Sequence, residues 1–439
     1  MELEYDVLVI GAGPAGSTAA KYAADAGTDV LLIEKRQEIG TPVRCSEGIA
    51  KRWLDEMGLD PSSRWIAHEV DGARIISPDG SCLEVDESLA GNECGYIIER
   101  DLFDRALAKR AISAGANLTV RTSATSLLFD NGSIAGARLS SFGKTFDVKA
   151  KMVIGADGYE SQVGRWAGID TSLRPRDIDS CFQYTLVGIE GDCRYNHFHL
   201  GSHAPSGYIW VFWKGEDIAN VGIGVQLSKV REKGQARWLL DDFISKREEL
   251  SRGKIVEQVS GAVSVCAPIE RTIADGLMLV GDAARTTDPI TGGGIYNACI
   301  GGKIAGQVAA KAVESGNPSS AFLAKYEKLW RDRLEETLYR NWMVKEKLTT
   351  LTDEQFDNII SAISDYDWEK LSVLEILIAV REKCPELQTD VEEILGIQVQ
   401  NWSRSAVWRF DHAGLVLVSL LLWFLEGSSP CFRLPFGVL

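Results

Sequence analysis

Six residues, GAGPAG at 11–16, constrain this chain more than any others. Before them runs a short apolar segment, YDVLVI at 5–10. After them come an alanine-rich segment at 17–26 and a second apolar run at 29–34 that ends on Glu34. Short apolar runs closed by glycine read as buried strands, and the alanine-rich segment between them reads as a helix. Strands joined in this way are parallel and need the helix as their crossover. Gly11, Gly13 and Gly16 permit a tight turn and let the backbone approach a pyrophosphate, whose charge the helix N-terminus favours. Glu34, about twenty residues on, is set to accept hydrogen bonds from ribose hydroxyls. The chain therefore opens as a dinucleotide-binding βαβ unit of an α/β protein.

Charge and length narrow the class. A formal net charge of −15 argues against nucleic acid, because phosphate binding needs a basic footprint. It also argues against electrostatic docking to anionic lipid, so any membrane contact would be apolar. A length of 439 residues suggests two or three domains at roughly 100–200 residues each. The nine cysteines are scattered, without disulfide-framework or metal spacing. The N-terminus has no basic segment ahead of an apolar stretch, so no secretory signal is expected and a reducing cytosol fits best.

Further along, residues 100–114 read as a helix and residues 117–122 and 151–154 as strands. From 182 to 225 the chain alternates in strand fashion, as in YNHFHL, GYIWVFW and NVGIGV. This predicts an antiparallel sheet inserted in the middle. Residues 277–280 return to a buried strand, followed by a glycine-rich turn and a helix from about Ile295. The last third is helical, with Phe322, Tyr326, Leu329, Leu334, Leu338 and Trp342 recurring at helical spacing. Thr352 and Gln355 resemble a capping box that opens a helix with Phe356, Ile359, Ile360 and Ile363 inward. Another helix ends before Pro385. The expected division is a discontinuous nucleotide-binding domain (1–70, 98–175 and 266–320), an antiparallel-sheet substrate domain (71–97 and 176–265), a helical region (321–400) and an apolar tail (401–439). The run GLVLVSLLLWFL at 414–425 is shorter than the ~20 apolar residues of a spanning helix. An in-plane anchor, a core helix or an aberrant extension remain open for it.

Two downstream motifs extend the nucleotide reading. Residues 277–302, LMLVGDAARTTDPITGGGIYNACIGG, combine a buried strand with Gly281-Asp282 and a glycine-rich turn before a helix. Asp282 at a strand end suits ribityl hydroxyls, and a helix N-terminus at Gly294-Ile295 suits the pyrimidine oxygens of a flavin. Nucleotide-type sites at opposite ends of one chain suggest one long dinucleotide, FAD. The stretch at 155–161, GADGYES, completes a set that resembles the FAD-dependent hydroxylase-type flavoproteins, with their Rossmann-like fold. Residues 42–48, PVRCSEG, resemble the PxxCxG signature of the geranylgeranyl reductase family. Residues 207–214, GYIWVFWK, resemble its aromatic YxWxFPK strand, with Trp213 where proline is usual. The likeness covers roughly residues 1–400 and leans toward the archaeal branch that acts on digeranylgeranyl glycerophospholipids.

The resemblance implies a flavin site built from Ala15 in the first turn, Glu34, Cys45, Ser46, Gly48, Arg100, Ala124, Asp282, Gly294 and Ile295. It implies saturation of geranylgeranyl chains, with FAD as cofactor, a prenylated glycerophospholipid as substrate, and ferredoxin, a reduced deazaflavin or NADPH as electron donor. The enzyme would be cytoplasmic and peripherally attached to the membrane. An isolated alkene carries no electron-withdrawing group, so reduction needs a proton at one carbon as hydride reaches the other. Cys45 is the candidate for delivering that proton or orienting the alkene; a cysteine that only packs its loop is the alternative. Cys299 is a candidate redox partner for Cys45. Tyr208, Trp210 and Phe212 share one strand face and either line a tunnel for the prenyl chain or pack a core. His197 and His199 share a face without a third ligand, so no metal is expected. The rival functions are an aromatic-ring monooxygenase of the same fold, a reductase of other prenyl substrates, and a non-catalytic prenyl carrier.

Overall fold

The computed structural model describes residues 3–86 and 95–364. The strand Leu3–Ile10 lies at the heart of the larger sheet, with Val7, Leu8 and Val9 fully buried. It pairs in parallel with Val30–Ile33 on one side and Lys144–Gly155 on the other. The sheet extends to Asn117–Thr119 at one edge and through Leu277–Leu279 to Ile273–Ala274 at the other. Thr122–Asp130 and Ser133–Ser141 form an antiparallel hairpin on the long strand Lys144–Gly155.

Helix Pro14–Asp25 is the crossover between the first two strands. Its alanines are small because a second helix, Ile295–Glu314, lies directly on it. A Cβ at Gly302 would stand 2.3 Å from the Ala15 carbonyl oxygen, and one at Gly306 would stand 2.3 Å from that of Ala19. The seam therefore admits only glycine at both positions. It joins the two ends of the sequence reading, residues 11–34 and 277–302, into one unit.

The second sheet has seven strands in the order Lys254–Ser264, Ile178–Val187, Ile218–Gln226, Ile209–Trp213, Tyr195–His199, Gly72–Ile76 and Cys82–Asp86. Its pairings are antiparallel except for Tyr195–His199 with Gly72–Ile76. One face packs Trp213, Val211 and Ile209 against Leu240 and Phe243 of helix Gln235–Ser245. The other face turns Phe198, Trp210 and Phe212 toward the nucleotide unit. A small sheet of Gly48–Ala50, Gly95–Ile98 and Ile66–Val70 lies beside the two.

Ser320–Trp330 and Glu336–Leu348 run on through a π-helical turn at Arg331–Glu335. Their inward face is Leu323, Tyr326, Trp330, Leu334 and Leu338. Leu329 is exposed, so the expected stripe is shifted by one residue there. A face at 323, 326 and 330 keeps the three- and four-residue steps of a helix, whereas the 329 to 334 step does not. Thr352 forms the expected capping box: its hydroxyl accepts from the Gln355 N–H at 3.3 Å, and the Gln355 side chain accepts from the Thr352 N–H at 2.9 Å. Ile359, Ile360 and Ile363 of the helix that follows, Asp353–Ser364, are buried; Phe356 is partly so. Among the described residues no helix is long and apolar enough to cross a membrane. The helix expected before Pro385 and the tail at 401–439 lie outside the described residues.

Candidate active site

The first glycine turn is held by backbone geometry. Gly11 has a φ of +105°, and a Cβ there would meet the Ala156 carbonyl oxygen at 2.3 Å. A Cβ on Gly16 would run into the Gly11 carbonyl. Glu34 continues from the second strand and accepts from the Ala12 N–H at 3.1 Å and the Arg36 N–H at 2.9 Å. Its carboxylate thus braces the turn itself.

A cavity of about 400 Å³ opens beside this turn. Gly13 and Ala15 line it, as do Cys45, Ser46, Gly48, Arg100, Asp282, Gly294 and Ile295. Tyr208, Trp210 and Phe212 form another wall. Gly11, Gly16 and Glu34 frame the turn from behind. Ala124 is not among the residues that line this cavity; it sits partly buried in the strand Thr122–Asp130, opposite Leu139. Cys299 is also turned away. Its Sγ faces the Pro14 carbonyl at 3.9 Å, and both Cys45 and Cys299 are free thiols.

The cysteine loop is tied down residue by residue. Two residues, Ser46 and Glu47, separate Cys45 from Gly48, one more than the expected signature has. The Cys45 Sγ accepts from the Glu47 N–H at 3.3 Å, and the Cys45 carbonyl accepts from Gln183 Nε2 at 3.2 Å. Gly48 is closed off on the side of Phe212, whose ring a Cβ would meet at 3.0 Å. Arg100 donates through Nε to Asp104 at 2.7 Å. Burial opposes the Arg100 charge, yet Asp104 and Cys45 beside it hold its pKa above the usual value.

The opposite rim is the turn at 288–293. Asp288 is buried and accepts from the N–H groups of Ile290 and Thr291, both at 2.9 Å, and from Asn341. Tyr208 donates its hydroxyl to the Thr291 carbonyl at 2.5 Å, which ties the aromatic strand to this turn. Asp282 accepts from the Thr287 hydroxyl at 2.9 Å, and burial raises its pKa. On the cavity-facing side of the strand Ile178–Val187, Cys181 and Gln183 line the cavity and Asp179 lies two residues before them. Asp179 Oδ1 is buried with no hydrogen-bond partner among the described residues, and burial pushes its pKa up to about 7.

The alternation expected of GYIWVFW is present. Trp210 and Phe212 are nearly buried and join Phe198 at the cavity, with the Phe198 and Phe212 rings 5.2 Å apart at 64°. Trp213 points into the opposite core, where its ring fills the space beside Gly191. The sequence reading missed Glu47, Lys214, Asn220 and Gln183. Two of them stand inside the quoted motifs: Glu47 as a spacer in PVRCSEG, and Lys214 as the closing letter of GYIWVFWK, to which no role was given.

These residues fit FAD. Gly13 and Gly294 cap the long helices Pro14–Asp25 and Ile295–Glu314, and at neither end does a side chain accept from the first N–H groups. Both free helix N-termini border one cavity, as a pyrophosphate and an electron-rich ring at the two ends of one dinucleotide require. Asp157, next to the cavity-lining Gly158, keeps a buried Oδ1 that no described residue satisfies.

Comparison with known proteins agrees. Residues 6–187 match the FAD dependent oxidoreductase family, and residues 177–263 match the geranylgeranyl reductase catalytic domain. The digeranylgeranylglycerophospholipid reductase 2 of Methanococcoides burtonii is 48% identical over 395 residues, 90% of this chain and 96% of that protein. The digeranylgeranylglycerophospholipid reductase of Methanothrix thermoacetophila is 50% identical over 382 residues, 86% of this chain and 97% of the relative. The crystal structure of a geranylgeranyl bacteriochlorophyll reductase-like protein from Thermoplasma acidophilum superimposes with a TM-score of 0.85 at 45% identity, covering 90% of this chain and 100% of that one. A flavin-dependent brominase shares the fold, with a TM-score of 0.63 at 19% identity over 92% of this chain and 97% of its own. The chain belongs to the geranylgeranyl reductase family, as a FAD-dependent oxidoreductase of the digeranylgeranylglycerophospholipid reductase group.

Proposed function

We propose that this protein saturates the C=C bonds of the geranylgeranyl chains of a digeranylgeranyl glycerophospholipid. The observation that carries the reading is the meeting of three walls in one cavity: the glycine turns of a dinucleotide site, the Cys45 loop, and an aromatic face. The names of the relatives supply the substrate class. The substrate unit would comprise residues 71–97 and 176–265, working against a nucleotide unit of 1–70, 98–175 and 266–320.

FAD, once bound and reduced by the electron donor, would supply hydride to one alkene carbon. The Cys45 thiol delivers a proton to the other and is reprotonated from solvent, so each double bond gains two hydrogens. Trp210, Phe212 and Tyr208 hold the prenyl chain in an apolar slot. Their π faces lower the energy of the developing tertiary cation. Arg100 anchors the floor beneath Cys45 through Asp104. The lipid tails live in a bilayer, so the protein works at the membrane surface from the cytosolic side. Its net charge of −15 makes that contact apolar rather than electrostatic. Electrons arrive from ferredoxin, a reduced deazaflavin or NADPH.

The test is anaerobic. The chemically reduced protein is mixed with a digeranylgeranyl glycerophospholipid, and flavin reoxidation is followed together with lipid mass. Reoxidation with mass gains in steps of two hydrogens is expected. A flavin that stays reduced until air enters, with unchanged lipid, would point to the oxygenase or to another prenyl substrate. Cys45→Ala is expected to bind FAD and lipid but to lose most of its turnover; a normal rate would remove Cys45 from the chemistry.

A further inference from the structure

Glu47 is a buried acid in a conformation that side chains rarely adopt. It is 3% exposed, with a φ of +76°. Such a residue persists only where its surroundings over-determine it. Here they do. Lys214 Nζ donates to Glu47 Oε2 at 2.6 Å, and Asn220 Nδ2 donates to the same oxygen at 2.7 Å. The other oxygen accepts from the Arg100 N–H at 2.8 Å, at the start of helix Arg100–Ser113. Lys214 also donates to Glu99 at 2.8 Å. Burial works against its charge, but Glu47 and Glu99 outweigh that and hold its pKa above the usual value.

The backbone of Glu47 faces the other way, with its N–H on Cys45 Sγ. One residue therefore joins the cavity thiol to a buried cation. Asn220 reaches the Ser46 carbonyl at 3.4 Å and is itself oriented by the Thr185 hydroxyl at 2.8 Å. Lys214 directly follows the strand Ile209–Trp213, which carries Trp210 and Phe212 and which Tyr208 directly precedes. The prenyl slot and the cysteine loop are thus locked in a single register by an ion pair outside the cavity.

We propose that Lys214, acting through Glu47, is a positioning residue for Cys45: the pair fixes the left-handed turn that aims the thiol at the alkene bound along the aromatic strand. The aim at an alkene rests on the reductase reading above; the hold on the thiol does not.

Two measurements separate the parts. The first is the rate of Cys45 alkylation by iodoacetamide in the FAD-loaded protein, followed by mass of the Cys45 peptide, for the native chain, Lys214→Met, Lys214→Arg and Glu47→Gln. Lys214→Met and Glu47→Gln are expected to change the rate at least five-fold with FAD content unchanged, and Lys214→Arg to restore much of the native rate. Equal rates in all four proteins would overturn the proposal, whatever Cys45 does in catalysis. The second is a double-mutant cycle on lipid reduction. Lys214→Met is expected to lower kcat at least ten-fold with KM within two-fold, and to have no further effect when Cys45 is already alanine. An equal loss in both backgrounds would make Lys214 merely structural and overturn the proposal. A native rate in Cys45→Ala alone would overturn the reductase role of Cys45 and leave the alkylation result to decide the hold on the thiol.

Discussion

Trp210 and Cys45 are joined through a single amide. The Trp210 indole N–H donates to Gln183 Oε1 at 2.8 Å, and Gln183 Nε2 donates to the Cys45 carbonyl at 3.2 Å. Both bonds are largely shielded from water. Gln183→Leu keeps the volume but strands two polar groups. Each stranded group costs about 1–3 kcal/mol. Urea unfolding should show a loss of about 2–6 kcal/mol for the two together, and a change below about half a kcal/mol would mean that water already serves both groups.

The helix seam gives a paired prediction. Gly302→Val should destabilise the protein by roughly 1–3 kcal/mol or more, because overpacking here meets backbone. It should also lower FAD retention, since Ala15 sits in the cofactor turn. Gly301, one residue earlier, has nothing within 4 Å of a Cβ. Gly301→Ala should be neutral or gain up to about 1 kcal/mol from helix propensity. Melting temperatures and flavin content of the two variants check both halves.

Asp179 sets a pH dependence. Its carboxyl titrates at about 7 in the fold, against 3.8 as a free side chain. The folded state thus binds the proton more tightly. The contribution is fully present below pH 3.8 and is lost as pH rises through about 7. Above that, the buried charge is a burden of roughly 2–4 kcal/mol. Asp179→Asn should therefore stabilise the protein at pH 8 and make little difference at pH 4. Denaturant midpoints at the two pH values decide it.

Phe212 packs against Gly48 and Phe198 at the cavity wall. Phe212→Leu removes ring contact without opening the core. The KM for the lipid should rise roughly ten-fold, the order expected for lost apolar contact in a pocket. The kcat should fall as well, by a few-fold, because one of the three rings that face the developing cation is lost. Steady-state kinetics with a solubilised lipid would show both.

Local chemistry explains what the sequence made legible. GAGPAG with Glu34 declares itself because every group that shapes the turn lies within the βαβ unit. GYIWVFW declares its two faces because alternation is a property of one strand. The Lys214–Glu47 pair was not legible: its residues are 167 apart in sequence, and each sits in a motif whose other letters are more telling. Asp179 was hidden for the same reason, since nothing local marks an acid as unpaired. Leu329 misled because it lies one residue from Trp330, which completes the three- and four-residue steps of the buried face while Leu329 stays exposed. Ala124 was carried over by family likeness; it sits two residues after Thr122, whose N–H donates to the Glu34 carbonyl at 2.9 Å.

The seam between Pro14–Asp25 and Ile295–Glu314 also sets a timetable. On the ribosome the first helix emerges almost at once, but the glycines that cover it arrive some 285 residues later, the separation of Pro14 from Cys299 across the same seam. Until then an alanine-rich surface waits without its cover. Contacts so distant in sequence are slow to close and leave intermediates exposed. The unit synthesised first is therefore the last to be completed. A cofactor bound across both ends of this unit would then act on the newborn chain as a fastener before it acts as a reagent.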